Sequence, residues 1–292
     1  MDILPQLIVS GLAAGSLYAL MALGLVLIFR TTDIVNFAHG DMAMFSTFVA
    51  YVLITAYGAP FWAALLAAVA VGFLLGVFMD QVVLRPARRA SVISLLIATL
   101  GVALILESVA GWLWGWEPKP FPRAVRGAPL ILGDVVISRH SLLALGVAVS
   151  CAAGLFALLK LTRLGTAMRA VAQNRLAAQL LGVPVERISM LSWGIGAALG
   201  AIAGLFIAPF VFLEPAGFVK VMLKAFAAAV LGGFTSLPGA VVGGLLLGVF
   251  DNLVGGYLTT QLKETLVFAL IIVVLAIRPQ GLLGEPLHRR VA

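Results

Sequence analysis

Long apolar stretches alternate along the chain with short polar ones, and the apolar stretches are too long and too uniform for a water-facing fold. Runs that qualify as membrane-crossing helices, or nearly do, cover 7–29, 42–57, 61–84, 92–114, 141–159, 191–213, 225–234, 238–258 and 264–277. Crossing a ~30 Å hydrocarbon layer takes about 20 helical residues. The runs 42–57, 225–234 and 264–277 fall short of that length. Short runs predict broken or re-entrant segments, tolerated only where protein or water covers the backbone. The pattern predicts an all-α, polytopic membrane helix bundle of about eight transmembrane helices, a single membrane domain spanning 1–292 with no soluble domain appended. Met1-Asp2-Ile3-Leu4-Pro5 has no positive n-region, so the first run is expected to be a retained helix and not a signal peptide.

Composition supports this reading. Apolar residues make up 62% of the chain and charged residues 11%, against ~45–50% and ~25% in soluble domains. An ordinary soluble enzyme, a disordered chain and a disulfide scaffold are excluded; the single cysteine, Cys151, cannot pair within the chain. A formal charge of +7 reads, in a membrane protein, as loops held in the cytoplasm and not as a nucleic-acid surface. The positive residues form three groups: Arg85, Arg88 and Arg89; Lys160, Arg163, Arg169, Arg175 and Arg187; and Arg278, Arg289 and Arg290. Placing all three inside puts the N-terminus outside and the C-terminus inside. The loop 115–139 then lies outside, although it carries Lys119, Arg123, Arg126 and Arg139. Its prolines 118, 120, 122 and 129 predict an extended, rigid cover, and Trp112, Trp114 and Trp116 an interfacial anchor.

Small residues recur at four-residue spacing, as Gly11/Gly15, Gly72/Gly76, Gly196/Gly200/Gly204 and Gly244/Gly248. Such pairs let helix backbones approach closely in lipid, either within the bundle or against a second membrane subunit. Catalytic signatures are missing. The sequence has no Gly-x-x-x-x-Gly-Lys phosphate loop and no Gly-x-Ser-x-Gly elbow. His39, His140 and His288 stand apart, without the spacing of a metal site. No catalytic residue, no metal and no cofactor is expected in this chain.

Polar groups nonetheless enter the membrane pattern. The stretch 30–41, with Arg30, Asp33, Asn36, His39 and Asp41, interrupts it between the first two runs. A charge at the bilayer centre costs ~2.5–3.5 kcal/mol on insertion scales. The stretch is therefore either a plain cytoplasmic loop or a re-entrant segment lining a water-accessible path. A second Gly/Pro interruption stands at 231–239, and two such breaks are the pointer to a midplane site in transporters built from repeats. Asn36, His39, Asp41, Thr235 and Ser236 are the candidate lining of the path. Glu107 and Asp251 lie within apolar runs, as path-lining or internally paired groups. Asp80, one turn from Arg85, reads as a snorkelling or paired helix terminus.

The most specific local signal lies in the polar stretch of about 160–190. Asn174 is a good N-cap, Gly182 a good residue to follow a helix, and Pro184 forbids continuation. They bracket a helix of about seven residues, some 11 Å long. So short a helix is unstable alone in water and must dock, on its own bundle or on a partner.

Several motifs resemble the permeases of branched-chain amino-acid ABC importers, within them the type called LivH. They are Asn36-Phe37-Ala38-His39-Gly40, Gln173-Asn174-x-x-Ala177-Ala178-x-x-x-Gly182-Val183, Gly232-Gly233 with Pro238-Gly239-Ala240, and Arg278-Pro279-Gln280-Gly281. The resemblance implies that Gln173, Asn174, Ala177, Ala178 and Gly182 belong to a coupling helix seated in a cytoplasmic ATPase. It implies a second homologous permease subunit, two ABC ATPase subunits that bind the ATP, a periplasmic substrate-binding protein, and a place in the bacterial inner membrane. Branched-chain or other aliphatic amino acids are the expected cargo, with urea, short amides or a sugar as the alternative. A stand-alone secondary transporter or channel, using Glu107, Asp251 or His39 as an ion relay, is the rival from another class.

Overall fold

The computed structural model describes residues 3–87, 90–125, 127–133 and 135–284. Arg88, Arg89, Arg126, His288, Arg289 and Arg290 lie outside them. The helices are α1 (Leu4–Thr32), α2 (His39–Thr55), α3 (Phe61–Phe78, continued by a π-helical turn Met79–Leu84), α4 (Val92–Trp114), α5 (Arg139–Leu161), α6 (Arg163–Gln173), α7 (Arg175–Leu180), α8 (Val185–Val211), α9 (Phe218–Gly232), α10 (Leu237–Tyr257) and α11 (Lys263–Ile277). Among the described residues, seven helices are long and apolar enough to cross a membrane; α2 and α9 are shorter. The third run expected to be short reaches full length, because a 3-10 turn at Thr260–Leu262 extends α11 to an 18-residue apolar helix. The loop after α4 is not wholly irregular: Leu130–Leu132 (β1) and Val135–Ile137 (β2) pair as an antiparallel hairpin.

The two ends of the bundle are distinct. Gln6, near the start of α1, exchanges hydrogen bonds with the backbone of Val136 in the hairpin. Lys119 pairs with Leu213, just beyond α8, at the same end. At the other end the Arg85 guanidinium meets Glu186, tying the foot of α3 to the start of α8. Asp80 is paired as expected, but across helices: it accepts from Ser189 of α8 at 2.5 Å and from Gln81 at 3.0 Å. Arg85, Lys160, Arg163, Arg169, Arg175 and Arg187 belong to this arginine-rich end.

Packing reveals an internal repeat. α1 packs along α10 and α3 along α8, while α1 and α8 cross each other at the centre. α2 wedges against α3 and α8, and α9 correspondingly against α10 and α1. Helices α1–α4 thus match α8–α11 in an inverted sense, α1 running away from the hairpin end and α8 towards it. Both central helices end on a residue of positive φ: Asp33 after α1 is left-handed helical (φ 59°, ψ 19°), and Phe212 after α8 combines φ 60° with an extended ψ of 154°; they are the non-glycine residues of positive φ among those described. A left-handed residue costs a Cβ-bearing side chain about 1–2 kcal/mol. Both reverse the chain and feed a short helix back into the bundle.

Glycine spacing accounts for the closest seams, all within this chain. A Cβ on Gly15 would stand 2.7 Å from the Gly244 carbonyl, and one on Gly72 2.8 Å from the Ala201 Cβ. The recurring glycine pairs are packing surfaces of the bundle itself.

Candidate functional site

At the arginine-rich end, α6 and α7 form a bracket beneath the bundle. Thr162 caps α6 by accepting from the Gly165 N–H at 3.0 Å, and α6 turns Gly165, Met168 and Val171 inward. Asn174 then ends α6, its backbone N–H bonding the Ala170 carbonyl at 3.0 Å, and its side chain starts α7, Oδ1 accepting from the Ala177 N–H at 3.0 Å. Gly182, at φ 81°, closes α7: its N–H reaches the Gln179 carbonyl, and Val183 N–H the Ala178 carbonyl, both at 3.0 Å. The expected short helix is present, with its caps at the residues named.

Its two alanines differ. Ala178 is buried against the chain itself, whereas Ala177 faces outward. Around Ala177 stand Leu176, Leu180 and Leu181, exposed at 67%, 80% and 83%. Gln173 is exposed too. Docking on its own bundle thus accounts for one side of α7 and leaves a leucine-rich side uncovered. Arg175 points the other way, sharing a cavity of about 380 Å³ with Asp33, Asp80 and Ser189. The short helix therefore sits directly under the break that follows α1.

That break is re-entrant. His39, the first residue of α2, is fully buried, with its ring between Gly24 of α1 and Gly200 of α8. A Cβ on either glycine would lie 2.9 Å from the imidazole. Gly24 is two turns above the end of α1, so α2 starts inside the bundle. The start of α9 crosses it there, a Cβ on Gly40 standing 2.8 Å from the Met222 Cβ. Asn36 is buried and shapes the turn: its Oδ1 accepts from the Ala38 N–H at 3.0 Å, and its amide faces the Met42 sulfur at 3.5 Å. Asp41 is buried on α2 and interacts electrostatically with Glu107, half-buried on α4.

The 231–239 break joins α9 to α10. Ser236 caps α10, accepting from the Gly239 N–H at 3.0 Å, and Thr235 beside it is half-buried. The segment 278–284 folds beneath, Leu282 N–H bonding the Leu231 carbonyl at 2.8 Å and Leu283 N–H the Gly232 carbonyl at 3.0 Å. The two breaks meet through aromatic rings. Phe37 stacks on Phe226, Phe226 touches Phe234, and Phe234 packs edge-on against Phe29, with centroids 6.1, 5.2 and 5.2 Å apart. They are not, however, counterparts of each other in the repeat. The partner of 33–38 is 212–217, at the opposite end.

A second polar cluster lies at the hairpin end. Asp251 of α10 is buried and takes Lys224 of α9 at 3.0 Å and Lys263 of α11 at 3.7 Å, both on Oδ2. Asp251 is visible in the sequence as a charge in an apolar run. Lys224 and Lys263 escape notice there because each stands at the edge of a run, where a positive residue reads as a flank.

Two inverted halves, each with a short helix re-entering at the centre, are the build of a membrane permease. The chain belongs to the family described as branched-chain amino acid transport system, permease component, which it matches over residues 7–275. It is 34% identical to the high-affinity branched-chain amino acid transport system permease LivH of Salmonella typhimurium over 301 residues, covering 96% of each chain. It is equally close to LivH of Escherichia coli K12 and to BraD of Pseudomonas aeruginosa, again at 34% identity and 96% of each chain. Among solved structures, PsaBC from Streptococcus pneumoniae shares the fold, with a TM-score of 0.53 at 12% identity over 96% of this chain and 93% of that one.

Proposed function

We propose that this chain is the permease subunit of an ATP-driven importer of aliphatic amino acids in a bacterial inner membrane. A second, related permease pairs with it, two cytoplasmic ATPase subunits drive it, and a periplasmic binding protein delivers the cargo. The arginine-rich end faces the cytoplasm, in keeping with the positive-inside rule, so the N-terminus is periplasmic and the C-terminus cytoplasmic. ATP is bound and hydrolysed by the partner, not here.

The observation that carries this reading is α7: six residues, capped at both ends, half-seated on its own chain and presenting exposed Leu176 and Leu180, with exposed Leu181 at its C-cap, on the other side. A cleft in the ATPase covers those leucines. Gln173, Asn174, Ala177, Ala178 and Gly182 give the helix its shape and footing. Closure of the ATPases moves α6 and α7 as a rigid bracket, and Arg175 carries that motion to the break at 33–38. The route for cargo passes the breaks at 33–41 and 232–239. His39 pins the start of α2, Asn36 and Ser236 hold the backbone of the two turns, and Asp41 and Thr235 border the route. Phe29, Phe37, Phe226 and Phe234, in contact where the two breaks meet, form its cytoplasmic gate, and alternating access requires these rings to part.

Uptake of radiolabelled L-leucine into proteoliposomes separates this from a free-standing transporter. With the partner permease, ATPases and binding protein present, accumulation should follow enclosed ATP and vanish without it. Accumulation by this chain alone, driven by an ion gradient and indifferent to ATP, would overturn the proposal and favour a secondary transporter.

A further inference from the structure

A cavity of about 360 Å³ opens at the hairpin end between α1, α5, α8, α9 and α10, within the ~300–1,000 Å³ range of small-molecule sites. Three of its lining residues are charged: Lys224, Asp251 and Lys263. A structural ion pair needs one cation for one carboxylate. Here two ammonium groups converge on a single carboxylate oxygen, Oδ2, while Oδ1 of the same buried residue has no hydrogen-bond partner. Lys224 also lies against Tyr18, its Nζ 5.5 Å from the ring centroid, so the cluster sets two cations against one carboxylate at the cavity wall. A buried acceptor without a donor costs about 1–3 kcal/mol; Oδ1 is closed off from the cavity, so a ligand N–H reaches it once the carboxylate turns. Leu17 and Ile207 supply an apolar wall to the same cavity, and Ser141 stands at its edge.

We infer that this cavity seats the zwitterionic head of an aliphatic α-amino acid on its way through the permease. The carboxylate lies against Lys224 and Lys263, the ammonium group sits on Asp251, and the side chain runs along Leu17 and Ile207. The choice of ligand rests on the importer reading; the convergence of two ammonium groups and one carboxylate at the cavity wall does not. The position suits a transient seat. Lys263 is still partly exposed, so the head is not sealed in, and a site that must release its cargo cannot hold it tightly.

Labelling of a single introduced thiol tests this without requiring ATP. Ser141→Cys is made in a Cys151→Ala background, and the assembled transporter in nanodiscs is exposed to a maleimide with L-leucine, leucinol (no carboxylate) or 4-methylpentanoate (no ammonium). Saturating L-leucine is expected to slow labelling by at least about fivefold, through occupancy, and neither analogue should match it. Lys224→Met or Asp251→Asn should abolish the protection. If Asp251→Asn fails to assemble, the analogue comparison in the unaltered cluster still decides. Equal protection by 4-methylpentanoate would overturn the zwitterion seat in favour of a plain anion site, and no protection by L-leucine would overturn it altogether. Because the readout is independent of ATP, its failure is distinct from failure of ATP-driven uptake, which tests the importer reading itself.

Discussion

Leu176→Asp with Leu180→Asp is expected to abolish ATP-driven uptake, by at least about a hundredfold, while the bundle folds and inserts normally. Each leucine buried in a partner contributes ~1.5–3 kcal/mol, and a carboxylate in its place adds a desolvation cost, so the loss exceeds the ~2.8 kcal/mol that a hundredfold change requires. Both side chains are exposed in the chain alone, so nothing in its own packing is lost. Ala178→Asp should fail differently. Ala178 faces inward, and a carboxylate there unseats α7 from its own chain before any partner is met. Comparing ATPase retention and thermal stability separates the two. The surface pair should lose the ATPase at unchanged stability, and the inward variant should lose both.

The second large effect is on folding. At Gly244 a Cβ would stand 2.5 Å from the backbone N and Cα of Ala19, which have no way to yield except by parting the helices. Gly244→Val is expected to cost ~3 kcal/mol or more, above the usual overpacking range of ~1–3 kcal/mol, because the obstruction is main chain at the principal seam of the bundle. Little monodisperse protein should be recovered in detergent. Gly154→Val on α5, where nothing lies within 4 Å of the new Cβ, is the control and should accumulate normally. Equal recovery of the two variants by fluorescence-detected size exclusion would show that the α1–α10 seam is not the close contact described.

What the sequence discloses divides along the line between local and tertiary causes. The ends of α7 are legible because each is set by one residue acting on its neighbours: an Asn174 amide accepting from the third residue on, and a glycine free to take φ 81°. The break after α1 is legible because Asp33, Asn36 and Asp41 interrupt an apolar run. Its counterpart at 212–217 is harder to see, since Phe212 and Leu213 prolong the apolar pattern and only Glu214-Pro215-Ala216-Gly217 mark the turn. The break at 231–239 drew the pairing instead, its glycines and proline being the louder signal. Asn36 and Ser236 show a further ambiguity. The amide and hydroxyl that suit a polar solute suit a backbone turn equally, and Ser236-Leu237-Pro238 already carries the cap-then-proline order of a helix start. The charge cluster at Asp251 is a tertiary fact, made by residues 27 positions apart on neighbouring helices, and no spacing rule exposes it.

The most direct measurement places a photo-activated crosslinker at position 180 in cells that express the whole transport system. If α7 is the element through which ATP drives this permease, the adduct will contain an ATP-hydrolysing subunit, and its yield will change when hydrolysis is blocked. An adduct confined to this chain's own helices, with uptake intact, would contradict that account.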